Sequence, residues 1–166
     1  MFQPAVMRFT ALFVLSTGSV LLRSQNFGVP PELVGDWEST SVRSTTFQDR
    51  STGAYAKPSG SATAYHIAAD GQYKEEALIQ SSMYNCTDTV FVSETGRVRL
   101  DASGLTLVST GGRLTSRDNC NARFNYEKQL PPREYAFASW QVRNGQSGPE
   151  LCLEKDHQVF CYHRKK

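Results

Sequence analysis

Ala62-Thr-Ala-Tyr-His-Ile-Ala-Ala69 runs into Asp70-Gly71 and then Gln72-Tyr-Lys-Glu-Glu-Ala-Leu-Ile79. Both runs carry a period of two. A two-residue period puts alternate side chains on opposite faces of a strand, whereas a helix face needs 3.6. Asp-Gly between two such runs predicts a hairpin, because a two-residue reversing turn needs positive φ at both central positions.

The same rhythm extends in both directions. Trp37–Arg43, Asp88–Ser93, Arg97–Asp101, Leu105–Val108, Arg113–Ser116, Glu134–Val142, Leu151–Glu154 and Val159–Tyr162 read as further strands. Turns are expected at Glu94-Thr-Gly96, Ala102-Ser-Gly104, Gly111-Gly112 and Asn144–Pro149. Residues 43–61 and 117–132 have loop chemistry. Ser59 falls in the first of these, without the strand-turn-helix setting of a nucleophile elbow. Alternation puts Val98 and Leu100 inward, and Ala136, Ala138, Trp140 and Val142 on one face. No ten-residue run has a helical stripe. The expectation is an all-β antiparallel meander, closing into a barrel of about eight or nine strands. Closure would remove the free edges along which sheets aggregate.

The apolar run Phe9–Leu22 follows Arg8 and ends at Arg23-Ser24. It has the length of a signal-peptide core and is shorter than a membrane span. The expected organisation is therefore a signal peptide at 1–24, a linker at 25–31, a β-domain at 32–163 and a basic tail at 164–166. Pro30-Pro31 sets an extended entry to the domain. The chain carries 18 basic and 16 acidic residues. Without Arg8 and Arg23 the mature chain has 16 of each, which supplies no electrostatic case for nucleic acid. No segment of the mature chain is apolar enough to span a membrane. A secreted or periplasmic location follows as the expectation.

The four cysteines, Cys86, Cys120, Cys152 and Cys161, all lie in the mature part. An even count in an exported chain reads as a disulfide framework. Three connectivities exist, and Cys86–Cys120 with Cys152–Cys161 is favoured. Around a four-residue loop, Lys155–Gln158, positions 152 and 161 fall opposite each other on adjacent strands. The cysteines lack C-x-x-C spacing, and His66, His157 and His163 are not spaced as zinc ligands. No metal or cofactor is expected.

Leu33-Val-Gly-Asp-Trp37 opens the meander. This stretch resembles the L-x-G-x-W signature on the first strand of lipocalins and related calycin-type barrels. The resemblance implies a structural role for Gly35 and Trp37: the glycine bends the chain and the tryptophan plugs one barrel end. It also implies an arginine near the last strand that stacks on the tryptophan, for which Arg143 is the candidate. Small secreted barrels with this opening include protease inhibitors of bacterial pathogens, whose N-terminal segment plugs the target; Asn26–Glu32 would be that segment here.

Catalytic constellations are sparse. There is no G-x-S-x-G. His66 lies mid-strand and reads as solvent-facing; it becomes a base only if it meets an acid such as Glu75. Glu75 and Glu76 point to opposite faces, so neither forms a carboxylate pair unless another acid joins it. The chain is not expected to be an enzyme. Inward candidates are Tyr65, Ile67, Tyr73, Phe91, Val98, Leu107 and Trp140. Of these, Tyr65, Tyr73, Phe91 and Trp140 are the candidate ligand-binding residues. The expected function is binding, either of a small apolar molecule in or at the mouth of the barrel, or of a protein partner such as a protease through the N-terminal segment and rim loops.

Overall fold

The computed structural model describes residues 28–165 except 44–47, 49, 54, 56, 84 and 103. The expected leader and residues 25–27 of the linker lie outside this set. Among the described residues ten strands form one antiparallel sheet. They are β1 (Gly35–Arg43), β2 (Ser59–Ile67), β3 (Gln72–Met83), β4 (Cys86–Asp101), β5 (Gly104–Asp118), β6 (Tyr126–Leu130), β7 (Arg133–Phe137), β8 (Ser139–Gly145), β9 (Gly148–Lys155) and β10 (Gln158–Arg164). A 3₁₀ turn, Ala122–Phe124, precedes β6. The pairing order is β6-β5-β4-β3-β2-β1-β10-β9-β8, with β7 also on β5. The ladders form an open path.

One stretch of chain links the two sides of that path. β7 pairs with β5, and β8, one residue later, pairs with β9. Ala138 is the pivot, its N–H donating to the Glu154 carbonyl at 2.8 Å. The change of partner costs one residue of alternation. Tyr135 and Phe137 face the core before the pivot, and Trp140 and Val142 after it. Ala136 and Ala138 are exposed, so they do not share a face with Trp140 as the uninterrupted pattern predicted.

Glycines expected to turn the chain instead bring backbones together. β4 runs 16 residues straight through Glu94-Thr-Gly96, and β5 runs 15 through Gly111-Gly112. The only irregularity in their ladder is a register shift at Thr95/Gly96. A Cβ on Gly96 would stand 2.0 Å from the Val108 carbonyl oxygen and 2.8 Å from the Tyr73 ring. One on Gly112 would meet the Ser93 carbonyl at 2.4 Å and the Glu94 side chain at 2.6 Å. Glycine inside a strand marks such close approach as often as it marks a turn.

The hairpins follow turn chemistry with two differences in loop length. Ala68 and Gln72 flank a three-residue loop in which only Gly71 has positive φ (83°), and Asp70 instead accepts from the Gln72 N–H at 3.0 Å. In the last hairpin Lys155 pairs with Gln158, so the loop is two residues, Asp156 and His157, both at positive φ. Cys152 and Cys161 are direct partners in that ladder and are bonded, as are Cys86 and Cys120. Within the expected loop 117–132, Tyr126–Leu130 adds a strand to β5, and Ser59 already belongs to β2.

One face of the sheet wraps the core: Leu33, Trp37, Ile67, Leu105, Leu107, Phe137, Leu151 and Leu153, each worth about 1.5–3 kcal/mol when fully buried. Segment 28–34 seals this end. Pro30-Pro31 enters a turn rather than an extended lead, with Leu33 N–H donating to Pro30 O at 2.9 Å and Val29 and Leu33 buried. Beyond Glu38, the β1–β10 ladder ends; it joins only Trp37 to Arg164 and Glu38 to His163. Strands β1 to β6 therefore continue past the core as a flared sheet.

Candidate functional site

The L-x-G-x-W stretch anchors the closed end. Trp37 is fully buried, and its indole N–H donates to the Leu33 carbonyl at 2.9 Å. Arg164, not Arg143, covers it: the guanidinium lies 4.5 Å over the indole and donates to the Glu32 and Val34 carbonyls at 3.0 and 3.1 Å. Gly35 is favoured by its φ of 138°, which L side chains rarely adopt, rather than by space, since a Cβ there would be in ordinary contact with that guanidinium at 3.6 Å. Arg164 is thus the last residue of β10 rather than part of a solvated tail. Arg143 pairs with Glu150 at 3.4 Å. Alternation explains the exchange. Arg164 stands opposite Trp37 in the β1–β10 ladder, whereas Arg143 is on the far side of β9.

A polar cluster sits where the apolar core gives way to the flare. Glu75 on β3 and Glu94 on β4 are direct cross-strand partners. Such partners place their Cβ atoms about 5 Å apart on one face. Glu94 is 1% exposed. One of its oxygens, Oε1, takes a short hydrogen bond from Arg133 on β7. Its Oε2 is buried and has no hydrogen-bond partner. Tyr65 on β2 donates to Glu75 at 3.2 Å. Tyr162 on β10 packs edge-on against Tyr65, centroids 5.0 Å apart. Tyr73 on β3 lies over Gly96 and beside Ser109, and its buried hydroxyl makes no hydrogen bond of ordinary geometry, while Ser109 Oγ donates to the Gly111 carbonyl and accepts from the Gly111 N–H. Tyr135 on β7 is close enough to Glu94 to feel its charge, and it carries Arg133 at 4.8 Å and Lys155 at 5.6 Å over its ring.

Burial governs the titration of this cluster. It raises Glu75 above the ordinary carboxylate range, and the neighbouring Glu94 adds to the rise; the Tyr65 hydrogen bond and Arg133 oppose it. Burial, reinforced by the Glu75 charge, lifts Tyr73 to about 12. Burial and the Glu94 charge do the same for Tyr135, to about 12. Tyr65 is pushed well up and Tyr162 up, both chiefly by burial. The hydrogen bond to Glu94 raises Arg133. The phenols are therefore hydrogen-bonding groups rather than bases, and the cluster holds two carboxylates against one guanidinium.

Above it the same sheet face turns apolar. Counting by twos from Glu75 and Glu94 gives Ala77 and Ile79 on β3 and Val92 and Val90 on β4. Val92 pairs with Leu114 on β5, which continues the wall, whereas Val90 pairs with Ser116; on β6, Lys128 stands opposite Leu114, and Leu130 stands opposite Gly112 in the row of Glu94. Ile79 is 57% exposed, so this part of the face is open.

Of the four residues expected to bind ligand, the fold brings Tyr65 and Tyr73 together here. Trp140 packs at the margin of the core on β8. Phe91 is 37% exposed and on the outer face, beside a groove with Thr40, Ala62 and Leu78. The reason is parity: β4 is unbroken, so residues odd with Phe91 point opposite to Glu94. His66 also faces outward, against Asp36 at 2.7 Å, and does not meet Glu75. Glu94, Arg133, Tyr135 and Tyr162 were not anticipated. Counting back by twos from Val98 would have found Glu94 had Gly96 not been read as a turn. Arg133 and Tyr135 reach the cluster only through the β5–β7 pairing.

Among the described residues, one group of potential metal ligands lies close together, Glu150, Cys152 and Cys161, and its two sulfurs are bonded to each other. No helix among those residues is long and apolar enough to cross a membrane. No protein-family model, curated protein or solved structure matches the chain.

Proposed function

We propose that this is an exported, lipocalin-like binding protein that takes a small amphiphilic molecule head-first. The head meets the Glu75–Glu94–Arg133 cluster and the apolar body lies along Ala77, Ile79, Val90, Val92 and Leu114. One observation carries the reading: Glu94 Oε2 and Tyr73 Oη, a buried acceptor and a buried donor, are both unpartnered at the foot of an open apolar wall. Leaving such groups unmet costs about 1–3 kcal/mol each, so they are the atoms a ligand's polar head would satisfy. The ligand revises the simple apolar one expected from sequence, because the floor is charged.

Three features support the lipocalin-like part. Trp37 opens β1, Arg164 caps it, and the 133–145 stretch bridges β5 and β9, which would complete a barrel. Two disulfides support passage through an oxidising compartment. The protein-partner alternative is weaker. Residues 28–34 are folded against the core, and a segment held there is not free to enter a protease site. A binding role is favoured over catalysis because the phenols are held protonated and His66 is on the other face.

Native mass spectrometry of the exported protein tests this directly. A co-purifying small molecule near one-to-one, lost in Tyr73→Phe/Glu94→Gln, is the expected result. A bare two-disulfide mass, with no displacement of a fluorescent amphiphile, would overturn it.

A further inference from the structure

The cluster is short of one positive charge. Glu75 and Glu94 face each other across the β3–β4 ladder, and Arg133 bonds only one of them. Lys155 is committed over the outer ring of Tyr135. The other titratable groups that face the pair are phenols: Tyr65 from β2, Tyr73 from β3, Tyr135 from β7 and Tyr162 from β10. None of them supplies a cation. A carboxylate pair in a poorly solvated site, with a single counter-charge, is stabilised by a second monovalent cation or by a proton.

We infer that the Glu75–Glu94 pair is the seat of one organic monocation, a primary ammonium group at the head of an apolar chain; the inference rests on the binding reading above. An ammonium has three donors and no acceptor. It can give one hydrogen bond to Glu94 Oε2, one to Glu75 and one to the Tyr73 oxygen, which meets the orphaned carboxylate oxygen and the charge together. The four tyrosines surround the pair, and aromatic faces favour ammonium ions when desolvated. A carboxylate head would meet two like charges. An alcohol head would satisfy the hydrogen bonds and leave the charge deficit. The length of the body follows from the wall. Glu75 to Ile79 spans about 13 Å at roughly 3.3 Å per residue, the reach of a chain of about eight to ten carbons.

Burial and the facing Glu94 raise the Glu75 carboxyl above the ordinary range. A proton on Glu75 competes with the ammonium, so affinity falls as the pH drops into the carboxylate range. The phenols do not titrate there and take no part in the competition.

Isothermal titration of the full exported protein, disulfides intact, with n-octylammonium, 1-octanol and octanoate distinguishes the cases. At pH 7.5 octylammonium should bind at least about tenfold more tightly than octanol, with octanoate undetected, and should weaken about tenfold by pH 5. At pH 5 displacement of the competing proton should show as a buffer-dependent heat. Glu75→Gln, at a partly exposed position that tolerates the amide, should abolish the preference for ammonium over octanol and the buffer dependence. Glu94→Gln should do the same. Equal binding of octanol and octylammonium overturns the cation while leaving an amphiphile site in place. Binding of none of the three overturns both.

Discussion

Replacing Arg133 by methionine is the sharpest perturbation of the interior cluster. Methionine keeps the apolar stem and removes the charge. Glu94 would remain with a side chain 0% exposed and no cation, while Arg133 itself is 40% exposed. Removing one partner of a buried pair costs about 3–5 kcal/mol. The exposed arginine places the cost at the low end, about 3 kcal/mol, with the lost stacking on Tyr135 contributing less than about 1 kcal/mol of it. With a urea slope of about 1.5 kcal/mol/M, the unfolding midpoint should fall by about 2 M. The assay is urea unfolding of the disulfide-intact protein, followed by fluorescence of Trp37 and Trp140. The double variant Glu94→Gln/Arg133→Met should recover at least half of the loss, because an amide needs no counter-charge. A single-variant cost under about 1 kcal/mol, or a double-variant cost equal to the sum of the singles, would refute the claim that Arg133 neutralises a buried Glu94.

Arg164→Ala should cost about 2 kcal/mol, from the lost indole stack and two charged hydrogen bonds to backbone, whereas Arg143→Ala, which removes a half-exposed guanidinium and leaves Glu150 beside His163 at 3.3 Å, should cost under about 1 kcal/mol; urea midpoints compare them. Gly96→Ala should destabilise by about 3 kcal/mol, since its Cβ would force β4 and β5 apart at the Val108 carbonyl, and amide exchange of the Tyr73 and Ser109 strands should speed up with it. Glu75→Gln should raise stability at pH 8 and change it least at acid pH. The folded-state rise in Glu75 means its stabilising protonated form is complete below the ordinary carboxylate range and lost as pH climbs through the raised value; a thermal melt series across pH reads the crossover. Opening Cys86–Cys120, a loop of 34 residues, should cost about 4 kcal/mol and opening Cys152–Cys161, a separation of 9, about 2.5 kcal/mol, measured by urea unfolding of each Cys→Ala pair.

Local chemistry made much of the fold legible. The period of two in 62–79, a hairpin at Asp-Gly and the position of Cys152 against Cys161 depend on neighbours in sequence and appear in the structure, with a three-residue loop at 69–71 in place of two residues and a two-residue loop at Asp156-His157 in place of four. Trp37 declared itself because a large residue after Leu-x-Gly has few uses other than a plug. Less legible were features that depend on which strands meet. Gly96 and Gly112 look like turn residues, and only the crowding of Val108, Tyr73 and Glu94 reveals them as points of close approach. With β4 unbroken, its parity moves Glu94 inside and Phe91 outside. Arg164 looks like a frayed terminus until the β1–β10 ladder sets it opposite Trp37.

By itself, then, the sequence determined that the chain is a β-meander, where most of its strands lie and that Cys152 can face Cys161, because alternation and turn propensity are written in residues close along the chain. Only the tertiary structure decided the site. Glu75, Glu94, Arg133, Tyr65 and Tyr162 come from five strands, and they converge because strand 133–145 changes partner at Ala138 and β1 releases β10 after Glu38. Those are long-range pairings, chosen by the burial of the whole core, and no local pattern encodes them.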